Sequence, residues 1–228
     1  MTPLADILIR RIGATGPITI ADYMAECLLH PAHGYYTTRD PLGVAGDFIT
    51  APEISQMFGE MIGLSLAQVW LGQGAPANIT LAELGPGRGT LMGDVLRATK
   101  GVAGFHDALT VHLVEASPKL RAAQTKVVPQ VVFHDTIDTL PDAPLFLIAN
   151  EFFDALPIRQ FQRDGQEWRE RVVGVSDGGL AIGLSQAAPL TDLAHRLDDT
   201  KDGDIVETCP ALPAITQGVA QRIAADGG

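Results

Sequence analysis

The segment Glu83-Leu84-Gly85-Pro86-Gly87-Arg88-Gly89 has the residue types and spacing of a ligand-binding turn. The apolar run before it reads as a strand over 79–84, and the residues after it as a helix over 90–99. Glycine at alternate positions permits left-handed backbone and removes Cβ atoms that would collide with a ligand lying on the main chain. The unpaired N–H groups of the following helix favour a carboxylate or phosphate by roughly 0.3–1 kcal/mol. A dinucleotide site expects G-x-G-x-x-G, whereas here the third glycine comes one residue early and Thr90 follows it. No G-K-S/T is present, which excludes a P-loop. Glu115 closes the next strand, where a carboxylate can accept both hydroxyls of a ribose that lacks a 2′-phosphate. It stands farther from Gly85 than the roughly 20 residues of the dinucleotide pattern, because the intervening helix and loop are longer.

The elements that must position these residues follow from periodicity. Strands are expected over 79–84, 109–115, 131–134 and 145–150, with helices over 90–99 and 118–126 between them. The last strand is a nearly continuous apolar run, as in a strand buried on both faces. Such alternation implies a parallel sheet with helices on both sides. Ahead of it, residues 1–76 read as a helical lobe with an amphipathic start, a helix over 18–29 after a Thr or Asp cap, and a long helix over 52–70. Thr50 is the expected N-cap of that long helix, with Pro52 and Glu53 in its first turn. The stretches 30–36 and 43–48 read as loops. Beyond Pro157, short strands over 158–163, 168–175 and 180–184 alternate with Asp164-Gly165 and Asp177-Gly178-Gly179 turns, an antiparallel meander. A helix over 213–225 comes last. The expected fold class is therefore α/β, a Rossmann-like parallel sheet with an N-terminal helical lobe (1–76) and a β-meander inserted at 158–190 within the domain 77–228.

Composition narrows the function classes. The 228 residues are 46% hydrophobic and carry a formal charge of -11, with a pI near 4.8. That charge repels phosphate backbones, so no nucleic-acid partner is expected; it suits a basic partner and also serves solubility. Cys27 and Cys209 are the only cysteines, far apart, which argues against a disulfide framework or a cysteine zinc site. His30 and His33 lack a third ligand placed by sequence, so no metal is expected and the pair reads as loop packing. Trp70 and Trp168 read as packing residues. No apolar run approaches the roughly 18 residues that would span a bilayer, and the first dozen residues read as a helix of the domain rather than a signal. The expectation is a soluble intracellular protein without membrane insertion, cytoplasmic in a bacterium or in the mitochondrial matrix of a eukaryote.

Glu83-Leu84-Gly85-x-Gly87-x-Gly89, with an acid closing the second strand, resembles motifs one and two of the class I S-adenosylmethionine methyltransferases. Two longer stretches narrow the resemblance. Gly46-Asp47-Phe48-Ile49-Thr50-Ala51-Pro52-Glu53-Ile54, followed by Phe58-Gly59-Glu60, and Asn150-Glu151-Phe152-Phe153-Asp154-Ala155-Leu156-Pro157 are similar to signatures of one family. It is the family containing the mitochondrial complex I assembly-factor protein arginine methyltransferase and its bacterial relatives. His30-Pro31 and Gly34-Tyr35-Tyr36 fit the same pattern. The likeness runs across nearly the whole chain.

This resemblance implies S-adenosylmethionine as cofactor, a protein substrate with an accessible arginine, and a link to respiratory complex assembly. By position in the family pattern, Glu83, Gly85, Pro86, Gly87 and Gly89 would hold the methionine part and Glu115 the ribose. Asp135 would contact the adenine amino group, and Asn150 would close strand four at the ligand edge of the sheet. Guanidinium stays charged, so two carboxylates gripping its planar fork would present one nitrogen to the methyl group. Glu151 and Asp154 are the expected pair, with Asp47 and Glu53 contributing. The class I sheet order 3-2-1-4-5-7-6 would leave strand four without its neighbour at residue 228, so the C-terminal strands would be missing and the chain is expected to be truncated. A catalytically silent cofactor-binding or assembly protein is the rival reading. A nicotinamide oxidoreductase is disfavoured by Thr90 and by the absence of a recognisable hydride-transfer site.

Overall fold

A computed structural model describes residues 2–38 and 50–226. In chain order the elements are α1 (Pro3–Thr15), β1 (Ile18–Thr19), α2 (Ile20–Leu29), α3 (Tyr35–Thr38), α4 (Ala51–Ile54) and α5 (Gln56–Gly72). There follow β2 (Ile79–Leu84), α6 (Thr90–Ala98), α7 (Phe105–Ala108), β3 (Leu109–Val114), α8 (Pro118–Val127), β4 (Val132–His134) and β5 (Leu145–Ile148). The chain closes with β6 (Arg159–Asp164), β7 (Glu167–Ser176), β8 (Gly179–Leu184), β9 (Ile205–Thr208) and α9 (Leu212–Asp226).

Two compact units result, Met1–Arg39 with Leu156–Pro213, and Asp40–Ala155 with Ala214–Gly228. Packing therefore does not follow a split between residues 76 and 77. Helices α1 and α2 belong with the meander, while α4 and α5 belong with the parallel sheet. The cause is non-local pairing: β1 lies antiparallel on β7, Ile18 opposite Val173, and α1 buries Leu8 and Ile12 against that pair. Residues 18–19 are consequently strand rather than the start of a helix. Thr19 instead caps α2, its hydroxyl oxygen accepting the Asp22 N–H at 3.0 Å.

In the first unit, β6, β7 and β8 form the expected meander. Asp177 and Gly178, at φ of +51° and +76°, close the β7–β8 hairpin in the two-residue turn that matches strand twist. The short strand β9, which periodicity did not reveal, pairs antiparallel with β6. Phe161, Trp168, Leu193 and Val206 form the core beneath these strands.

The second unit carries a parallel sheet in the order β4-β3-β2-β5. Every residue of β2 is buried, as expected for a central strand covered on both faces. On one face Leu81, Leu113, Met92, Val95 and Phe105 pack beneath α5 and α6; on the other, Ala82, Leu84 and Leu145 meet Ile215 and Val219 of α9. Helices α5 and α6 approach closely because Gly59 and Gly63 face α6. A Cβ on Gly63 would lie 2.9 Å from the Val95 Cα. Trp70 packs edge-on to Phe105, its ring N–H bonded to the Pro76 carbonyl. Among the described residues β5 pairs with β2 and with no other strand.

The single helix expected over 52–70 is broken. Ser55 is extended (φ −151°, ψ 124°), separating α4 from α5, and its hydroxyl oxygen caps α5 by accepting the Met57 N–H. Thr50 makes no side-chain cap bond. The expected loop at 30–36 ends in a helical turn, α3, built on His30. Its carbonyl accepts the Gly34 N–H, and its Nδ1 accepts the N–H groups of Ala32 and His33. A Cβ on Gly34 would fall 2.5 Å from the His30 nitrogen, which explains the glycine there.

Candidate active site

Between β2 and α6 the chain passes through Gly85, Gly87 and Gly89 with φ of +60°, +55° and +83°. All three are left-handed, so the alternate glycines are a backbone requirement. The turn is pinned by the Gly85 N–H to Val114 O and the Gly89 N–H to Pro86 O. Gly85 also has no room for a side chain, since a Cβ would meet the Phe152 ring at 2.9 Å. That contact brings the 150–155 segment against the loop.

Helix α6 begins without help from its own cap, because Gly89 offers no side chain and the first turn has no acid. Groups from elsewhere supply what is missing. Glu83, fully buried at the end of β2, accepts the Met92 N–H, one of the donors that a helix start leaves unpaired. Its other oxygen is buried without a partner among the described residues. Burial pushes this carboxyl up to about 8, the Met92 bond opposing that only in part. Glu53, on α4, accepts the hydroxyl of Thr90 at 2.5 Å.

Glu115 follows β3 directly. Its Oε1 accepts the Ser117 N–H at 2.7 Å and its Oε2 accepts the Gln124 side-chain amide at 3.3 Å. Burial raises this carboxyl, while these bonds and the Arg121 charge pull it back. The same Gln124 amide donates to the Gly87 carbonyl at 2.7 Å. Glu115 and the glycine loop are therefore tied through one side chain of α8. Sequence reasoning did not single out Gln124. A buried amide on an otherwise amphipathic helix was the available signal, and it cannot be distinguished from a surface glutamine without the fold.

The remaining sequence-derived candidates fall into two groups. Asn150 and Glu151 lie just past β5 at the carboxyl edge of the sheet, and Asp154 follows in the short 3-10 turn Phe153–Ala155. Glu151 and Asp154 are exposed, and Glu151 holds a left-handed φ of +50°. Asp135, at the end of β4, is exposed and paired with Arg121 at 2.6 Å. Asp47 lies outside the described residues. The structure thus ties Glu83 and Glu53 to the first turns of α6, ties Glu115 to the loop through Gln124, sets the 150–154 segment against the loop by way of Phe152, and holds Asp135 one arginine away.

Over residues 61–228 the chain matches the family described as "Putative S-adenosyl-L-methionine-dependent methyltransferase". The chain belongs to this methyltransferase family. Protein arginine methyltransferase NDUFAF7 of mitochondria from Bos taurus and Homo sapiens is 38% identical over 257 aligned positions, covering 100% of this chain and 58% of each relative. A Burkholderia thailandensis superfamily member crystallised with S-adenosyl-homocysteine superposes with a TM-score of 0.78 at 29% identity, covering 95% of this chain and 58% of that one. The chain therefore spans 58% of the length of these relatives. The β4-β3-β2-β5 arrangement agrees with the first four strands of the class I sheet order that the resemblance implied. Among the described residues no helix is long and apolar enough to cross a membrane, and no group of three or more His, Cys, Asp or Glu converges as for a metal.

Proposed function

We propose that this chain transfers a methyl group from S-adenosylmethionine to arginine of a protein substrate. The observation that carries the cofactor part is the linkage of the glycine loop to Glu115 through Gln124, within a chain of this family. The fit is chemical. The three glycines leave backbone open to a ligand, the α6 start offers N–H groups to its carboxylate, and Glu115 keeps acceptor capacity for a vicinal diol. Arginine as acceptor is supported by the names of the mitochondrial relatives at 38% identity.

When bound, S-adenosylmethionine supplies an activated methyl group on its sulfonium. The chain's residues have to orient both reactants and exclude water. In this reading the 85–89 loop holds the methionine part, Glu115 the ribose hydroxyls, Asp135 the adenine amino group, and Asn150 the cofactor edge of the sheet. Glu151 and Asp154 grip the guanidinium, whose charge persists at any working pH. Both are exposed beside the loop contact of Phe152, where an incoming arginine can reach them. Asp47 is the third acid by sequence, whereas Glu53 already spends one oxygen on Thr90.

Calorimetry with S-adenosylhomocysteine tests the cofactor site. Glu115→Ala should weaken binding by roughly 10- to 100-fold, the loss of hydrogen bonds to a charged group. Transfer is tested with labelled S-adenosylmethionine and cell extract, reading label on protein arginine. Absence of cofactor binding by the unmodified chain would sink the whole reading. Binding without transfer would leave a cofactor-binding assembly protein in its place.

A further inference from the structure

We propose that Gln124 is a positioning residue that sets the Glu115 carboxylate for a ribose diol and holds it in register with the glycine loop; this rests on the cofactor reading above. Gln124 lies in the middle of α8 with none of its surface exposed. Its amide nitrogen has two hydrogens and two acceptors, the Gly87 carbonyl at 2.7 Å and Glu115 Oε2 at 3.3 Å. Those acceptors lie 37 and 9 residues away in sequence, so a side chain of α8 braces the glycine loop and the residue after β3 together. Its own carbonyl oxygen is buried without a partner among the described residues. Packing alone gives no reason for an amide here: a methionine would fill similar space without the unpaired carbonyl oxygen, but it would take the donor away from Gly87 and Glu115.

Gln124 also lies against the end of the loop. A Cβ on Gly89 would stand 3.4 Å from both the Cα and Cγ of Gln124, so the third glycine of the loop lies directly against this residue of α8. A carboxylate offers about four acceptor positions on two oxygens. On Glu115 the Ser117 N–H takes one on Oε1 and the Gln124 amide takes one on Oε2. The Ala116 N–H also bonds this carboxylate, and the acceptor capacity that remains is what a ribose hydroxyl can use. Removing the amide frees the carboxylate to rotate about its last torsion, and the match to the diol is lost while the fold is kept.

The test is calorimetry on the 228-residue chain with S-adenosylhomocysteine and with its 2′-deoxy analogue, alongside thermal melts. Gln124→Met should still unfold cooperatively, bind S-adenosylhomocysteine about tenfold more weakly, and discriminate less between the two ligands. Gln124→Ala, which deletes the amide without adding bulk, should show the same reduced discrimination if methionine does not fit. A purely structural role would leave the ratio of the two affinities unchanged whatever the melting temperature does, and that result overturns the inference alone. Failure of the wild-type chain to bind either ligand overturns the cofactor reading and this inference with it.

Discussion

The hydroxyl of Thr90 donates to Oε1 of Glu53 at 2.5 Å, a bond between residues 37 apart that fastens α4 to the first residue of α6. Thr90 is the residue that breaks the dinucleotide pattern, and here its side chain does something a glycine could not. Helix α6 has neither a side-chain cap nor an acid in its first turn, so the Glu53 carboxylate complements its positive end from outside.

If that bond steadies the loop, Thr90→Val should weaken S-adenosylhomocysteine binding by about 3- to 10-fold, and Thr90→Ser should restore it. Glu53→Ala should produce a similar loss, and the double variant no more than either alone, because both remove one interaction. Additive losses in calorimetry would instead assign Glu53 a separate role, such as the guanidinium contact expected from its place in the sequence.

The buried Glu83 predicts behaviour on the alkaline side. Its folded pKa, about 8, stands above the 4.5 of an exposed carboxyl, so the stability it contributes is complete below 4.5 and is lost as pH rises through 8. Glu83→Gln keeps an acceptor for the Met92 N–H and has no proton to lose. The variant should therefore gain on the wild type between pH 6 and 9, by on the order of 3 kcal/mol at the upper end. Denaturant unfolding across that range checks it, and parallel curves for the two proteins would contradict a neutral Glu83.

The acid side is governed by a different pair. His112 and His134, both buried on adjacent strands, share a 2.8 Å bond, and Thr139 bonds the far nitrogen of His134 at 2.8 Å. The Thr139 hydroxyl donates to the Thr136 carbonyl, so the chain of bonds is satisfied with both rings neutral. Burial lowers both pKa values from 6.5, helped by the neighbouring ring for His112 and by Arg121 and Arg222 for His134, with Asp135 opposing. Depressed folded values mean that stability is present above 6.5 and falls as pH drops below it. The melting temperature should decline by about 2–4 °C between pH 7 and 5, equivalent to about 1 kcal/mol. His112→Asn, which keeps a donor near the Nδ1 position without a titrating group, should flatten that decline.

The parts of this fold that sequence revealed are those held by local pattern. The strand at Ile79–Leu84 and the turn at Gly85 to Gly89 were legible because burial on both faces and left-handed backbone leave direct marks on residue type. Ser55 escaped notice because serine suits a helix start and a helix surface alike, and only its extended backbone shows the break. The strand at Ile205–Thr208 is four residues long and takes its identity from β6, a partner some forty residues earlier. The same non-local pairing moved α1 and α2 into the unit of the meander. Gln124 belongs to this class too: its importance lies in what it touches at positions 87 and 115, and no periodicity encodes that.

Gly85 tests the contact between the loop and the 150–155 segment. Alanine there would place its Cβ 2.9 Å from the Phe152 ring and would also have to hold φ at +60°. Gly85→Ala should cost about 1–3 kcal/mol of stability and reduce cofactor binding at least tenfold. Phe152→Leu removes the ring edge but not the backbone demand, so adding it should recover part of the stability. No recovery in thermal melts would locate the whole cost in the backbone.

Glu151 offers the sharpest separation of stability from chemistry. It holds a left-handed φ of +50°, a conformation that costs a non-glycine residue about 1 kcal/mol or more, at the carboxyl edge of β5 where the acceptor is expected to enter. Strain of this kind persists only where the surrounding structure holds the residue in place. Glu151→Gly relieves the strain and removes the carboxylate together. It should raise the melting temperature by about 2–4 °C, leave S-adenosylhomocysteine affinity within about twofold, and reduce methyl transfer at least tenfold. Glu151→Asn, which tolerates the left-handed region but cannot carry a charge, should keep the stability near wild type and lose transfer equally. Retained transfer in both variants would reduce Glu151 to a turn residue and leave Asp154 as the acid to examine.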